Sequence, residues 1–125
     1  MADAKGLSIL MSMKDVGVER SLKQIKAQFK TLSSEMSRSN ANFKNTERSM
    51  ESMSSRAKEL RKGIDVTENS MKDIVNQLKK MSDEERHTSV EAEKLRLEYS
   101  RQNKALNMYQ RQLKPVSYTH LRAHE

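Results

Sequence analysis

Few residues of this chain have the type and spacing that chemistry requires. His120 and His124 stand four apart, the spacing at which two imidazoles share one helix face and could hold a zinc ion. A metal needs further carboxylate or thiolate ligands, and no such set surrounds them, so no metal site is expected. Glu84 and Glu85 come nearest to a carboxylate pair, but neighbours in sequence point apart on a helix and serve as a solvated charge run. His87 stands alone among polar residues. With no Cys there is neither a thiolate nucleophile nor a disulfide framework, which suits a reducing compartment. No glycine-rich phosphate loop, Cys–His pair or Ser–His–Asp arrangement stands out from chance. The chain is expected not to be an enzyme and to use no cofactor or small-molecule substrate.

What remains is pattern, and the pattern is long. With Leu22 as heptad position a, apolar residues recur at alternating spacings of three and four from Leu22 to Leu113. Thirteen of fourteen a positions and eight of thirteen d positions are apolar. The residues expected to pack are Leu22, Ile25, Phe29, Leu32, Met36, Phe43, Met50, Met53, Leu60, Ile64, Met71, Ile74, Leu78, Met81, Leu95, Tyr99, Leu106, Tyr109 and Leu113, with Ala57 and Ala92 in phase. Such spacing makes one stripe on an α-helix, and a 3.5-residue period keeps that stripe facing a partner helix. The expected fold is all-α, built of long extended helices or coiled coil.

Composition supports this. Of 125 residues, 34% are hydrophobic and 33% charged, with three Gly, one Pro and no Trp, a profile of long helices rather than of a broad core. A narrow stripe cannot bury itself, so the helices must associate, within the chain or with other copies. No run approaches the eighteen apolar residues of a membrane span, and no signal-peptide pattern is present. The net charge of +7 is lopsided: residues 1–63 hold thirteen Lys and Arg against seven acids, and residues 64–114 hold ten against nine. A basic first half could meet nucleic acid. However, Lys23, Lys30, Lys44 and Lys58 fall mostly off the seam, and this half has two Phe but no Tyr or Trp on which bases would stack.

Along the chain, alternation over Leu7, Ile9, Met11 and Met13 predicts a short β-strand after Gly6; the alternative is a frayed terminus with accidental alternation. Residues 1–17 form this N-terminal segment, and a long heptad helix is expected over 18–82. Methionine fills Met36, Met50 and Met53, while Ser39 and Thr46 weaken the stripe. Few e and g positions are charged, so little specifies partner, orientation or strand number. Gly63 could be a helix end, but the phase survives from Leu60 to Ile64, so the helix is expected to continue or merely kink at 63–65. The seam turns polar at Glu85 and Thr88, between two capping-box patterns beginning at Ser82 and Thr88. A joint is expected at 83–88, then a final helix over 89–114 that Pro115 ends.

Two resemblances complete the reading. Residues 116–125, Val-Ser-Tyr-Thr-His-Leu-Arg-Ala-His-Glu, resemble a translated frame of a transposase-based sequencing adapter. That implies that 115–125 is a non-native tail, and that the natural protein ran on past Lys114. The second rests on Gly6-Leu7-Ser8-Ile9, Leu22-Lys23-Gln24-Ile25-Lys26, Ser33-Ser34-Glu35-Met36, Ala41-Asn42-Phe43, Glu47-Arg48-Ser49-Met50-Glu51 and Glu91-Ala92-Glu93-Lys94-Leu95 with Tyr99 and Leu106. Together these resemble the N-terminal region of tail tape measure proteins of long-tailed bacteriophages and prophages. The resemblance covers residues 6–114, and its motifs are of low complexity.

It implies a structural protein of the virion tail, assembled in the bacterial host cytoplasm. There it acts as a helical ruler in the tail lumen, around which tail tube subunits assemble and which sets tail length. Self-association and tail assembly chaperones as partners are implied with it. A cellular coiled-coil scaffold and a basic helix that binds nucleic acid are the alternatives.

Overall fold

The computed structural model describes residues 20–123, with side chains through Val116. The strand expected over Leu7–Met13 lies outside the described residues, as does the helix start expected near residue 18. The fold is all-α, and the described residues form four helices: α1 (Leu22–Lys44), α2 (Met50–Lys80), α3 (Asp83–Thr88) and α4 (Val90–Ala123).

Local chemistry sets where each begins. Ser21 caps α1: its side chain accepts from the Gln24 N–H at 3.2 Å, and the Gln24 side chain accepts from the Ser21 N–H at 2.9 Å. Ser49 and Ser52 repeat the reciprocal arrangement at the start of α2, at 3.1 and 2.9 Å. Ser82 caps α3, accepting from Glu85 N–H at 3.2 Å, and the Ser89 hydroxyl accepts from Ala92 N–H at 3.0 Å at the start of α4.

The heptad helix expected over 18–82 is therefore two helices, broken at residues 45–49 rather than at Gly63, through which α2 runs unbroken. The break falls where Ser39 and Thr46 weaken the stripe, and folding back there lets one narrow stripe cover another. The joint expected at 83–88 is itself helical, and the chain turns on either side of it, at Met81–Ser82 and at Ser89. The final helix does not stop at Pro115 but continues to Ala123. Proline costs an interior helix one hydrogen bond and a steric clash. Opposing that cost, Val116 is buried one heptad beyond Tyr109 and anchors the turn that follows.

The three long helices pack up, down, up. Arg56 meets Ser39 on α1 and Gln112 on α4, whereas Arg20 meets Asp73 and Ile74 clusters with Leu95, so α2 runs antiparallel to both neighbours. The α2–α4 interface is the most extensive, and α1 lies across it. Phe29, Leu32, Met36, Leu60, Val66 and Tyr109 form one apolar cluster, and Leu22, Ile25, Ile74 and Leu95 form another nearer the α1 N-terminus. Each such side chain contributes about 1.5–3 kcal/mol by leaving water. Between the two clusters lies a buried polar layer of Thr67, Ser70, Glu98 and Gln102.

Candidate functional site

Side chains from different helices meet along the seam. Leu22, Ile25, Phe29, Leu32, Met36, Leu60, Met71, Ile74, Leu95, Leu106 and Tyr109 of the expected seam are buried. Phe43, Met53, Ile64, Leu78, Met81 and Leu113 are half-buried. Met50 and Tyr99 are exposed, at 47% and 37%. Glu98 is buried while Tyr99 beside it is not, although Ala92 and Leu106, one heptad to either side of Tyr99, keep the stripe in phase.

Sequence reasoning missed a second buried row on α2. Arg56, Gly63 and Ser70 recur every seven residues, and Gln77 continues the row half-buried. A middle helix must bury two faces, and a row of small and polar residues carries little hydropathy signal. Its heptad recurrence was the signal that could have found it. Gly63 lets α1 approach: a Cβ there would lie 2.8 Å from both Sδ and Cε of Met36.

Two arginines pin α1 at either end. At its start, the buried Arg20 donates from Nε to Asp73 Oδ2 at 2.8 Å and also bonds Gln28, while its carbonyl accepts from the Gln77 amide. At the other end Arg56 gathers all three helices. Its Nη1 donates to Ser39 Oγ at 2.7 Å, and its Nη2 to Asn40 Oδ1 at 3.2 Å and Gln112 Oε1 at 3.1 Å. Ser39 in turn donates to Glu59. Burial lowers the Arg56 pKa, opposed by the neighbouring Glu59 and Tyr109. Burial also raises the Tyr109 phenol above its ordinary value, opposed by the nearby Ser33 hydroxyl and by Arg56.

The polar layer is bonded only in part. Gln102 Nε2 donates to Glu98 Oε2 at 3.0 Å, and Arg101 reaches Glu98 at 3.9 Å. Thr67 Oγ1 donates back to the Gly63 carbonyl at 2.7 Å, while Gln102 Oε1 and Ser70 Oγ meet no partner among the described residues. Such groups specify register more than they stabilise.

Residues weighed for chemistry are scattered. His87 Nδ1 sits 2.7 Å from the Asp83 carbonyl within α3, and Glu84 and Glu85 are exposed. The side chains of His120 and His124 lie outside the described residues. Among the described residues no three His, Asp or Glu converge as metal ligands, and no helix is long and apolar enough to cross a membrane. The exposed Lys23, Lys26 and Lys30 of α1, with Lys94 and Arg101 of α4, border open grooves between these helices. The larger, of about 750 Å³, has Phe29 as an apolar lining residue. No family model matches this chain, and neither does any curated protein or solved structure.

Proposed function

We propose that this chain is a structural helical segment of a phage tail tape measure protein, which contributes length to a ruler in the tail lumen. The observation that carries the reading is the phase of the seam across its turns. Phe43 and Met50 are both a positions on either side of the first turn, and Met81, Thr88 and Leu95 are successive d positions across the second. An arbitrary turn would keep heptad phase about one time in seven. The stripe that the bundle buries is therefore also the stripe of one end-to-end helix. From Leu22 to Leu113 that helix would span about 140 Å, against about 50 Å for the longest helix of the bundle. The bundle is then the form of the segment before assembly, and the extended helix its form within a tail.

Tail length tests this. Removing whole heptads from the parent protein keeps the seam and changes only length. Removing roughly 42 residues should shorten the tail by about 63 Å, at 1.5 Å per residue, measured on electron micrographs. Tails of unchanged length with a stable, incorporated deletion protein would end the ruler reading and leave a scaffold.

The lysine-bordered grooves support a second reading, nucleic-acid binding through phosphate contacts. It requires binding that falls steeply between low and moderate salt. No binding at low salt would remove it.

A further inference from the structure

We propose that two copies of this chain exchange α1, each laying it on the α2–α4 hairpin of the other, with the turn at residues 45–49 straightened into helix. Nothing in that turn compels it to close. Asn45-Thr46-Glu47-Arg48-Ser49 contains no Gly or Pro, and the flanking caps adopt ordinary backbone, Asn45 at φ −95° and Ser49 at φ −134°. The closed turn is held by local hydrogen bonds and by Arg48, whose guanidinium donates to the Phe43 carbonyl at 2.6 Å and lies 4.0 Å from the Phe43 ring centroid. Phe43 and Met50 stand one heptad apart with Thr46 between them at d, so a straightened helix continues the seam without a slip.

The seam residues beside this turn are incompletely covered in the closed bundle. Met50 is 47% exposed, and Phe43 and Met53 are half-buried. The antiparallel pairing of α1 with α2 joins Arg20 to Asp73, Met36 to Gly63 and Ser39 to Glu59. Extended through a straight hinge, the same pairing continues past Phe43 and sets Thr46 against Met50 of the partner copy, which the closed turn leaves 47% exposed. Exchange thus covers apolar surface that the monomer exposes. Every contact that pins α1 is remade between chains, so closed and exchanged forms differ in the hinge, in this new contact and in association. The exchange needs only these helices and holds whatever structure the chain serves, so its failure leaves the tail-length experiment untouched.

The test uses the Arg20–Asp73 pair. Within one chain, Arg20→Asp faces Asp73, and Asp73→Arg faces Arg20, so each variant alone has like charges between α1 and α2. Mixed, the two variants restore both pairs only in a one-to-one exchanged heterodimer. Native mass spectrometry and circular dichroism should give that heterodimer, with helicity and melting temperature above those of either variant alone. A mixture that melts as the sum of two monomers overturns the proposal. A Gly-Ser insertion between Thr46 and Glu47 lengthens the closed turn but breaks the phase of the straight helix. In the otherwise unaltered chain it should weaken dimerisation at least about tenfold in sedimentation across a concentration series. Dimerisation unchanged by the insertion, or an unaltered chain that stays monomeric at every concentration, overturns it equally.

Discussion

Gly63 of α2 lies against Met36 of α1 so closely that a Cβ at position 63 would sit 2.8 Å from the Met36 Sδ and Cε. A glycine inside a helix is normally a weakness of about 1 kcal/mol relative to alanine. Here it sets the distance between two helices.

The pair makes a graded prediction. Gly63→Ala should be nearly neutral, because the gain in helix propensity of about 1 kcal/mol offsets the displacement of a flexible thioether. Gly63→Leu should cost about 2–3 kcal/mol by pushing α1 away, since Met36 is only 2% exposed and has little room to move. Adding Met36→Ala to Gly63→Leu should recover part of that loss. Urea midpoints of the unaltered chain, Gly63→Leu, Met36→Ala and the double variant test the coupling, and strict additivity would show that the two residues do not meet.

The polar layer should be a site of easy stabilisation. Replacing Glu98 and Gln102 together by Leu removes a buried carboxylate and an amide oxygen without a partner. The double variant should gain about 1–4 kcal/mol in chemical denaturation. It should also lose register definition, read as broadened amide resonances from α4. Gln102→Leu alone should gain less, because Glu98 then keeps only the longer Arg101 contact at 3.9 Å.

Tyr109 makes stability depend on alkaline pH. Its phenol is raised from 10.0 chiefly by burial, so the folded state favours the protonated form. That contribution is fully present below the unfolded value of about 10 and is lost as pH rises through the higher folded value. Arg56, lowered chiefly by burial, acts in the opposite sense. Urea midpoints should therefore fall as pH rises above about 10, and Tyr109→Phe should flatten that fall. An unchanged slope in the variant would assign the effect elsewhere.

Proteolysis separates the turns from the helix interior. Arg48 lies in the first turn and Arg86 in the short α3, whereas Arg61 and Lys62 lie within α2. Loop tips are cut first because the chain must unfold locally to enter a protease. Limited trypsin digestion should cut after Arg48 and Arg86 before it cuts after Arg61 or Lys62. Early cutting at Arg61 would place the weak point at Gly63.

What the sequence by itself determined was the helical class and the identity of the stripe. Alternating three and four spacing leaves one apolar face whatever the partner, so Ile25, Leu32, Leu60, Ile74 and Leu95 were legible as core before any packing was known. The joint near Ser82 was legible too, because caps are local chemistry between residues three apart. The choice of partner face was not, since a stripe is equally satisfied by another copy or by the chain folded back on itself. Only the tertiary structure decided that residues 45–49 turn and that α2 is sandwiched. From that follow the burial of Arg56, Gly63 and Ser70 on its second face and of Glu98 in place of Tyr99. These positions depend on how three helices drift past one another over some thirty residues, a geometry that no window of heptads contains.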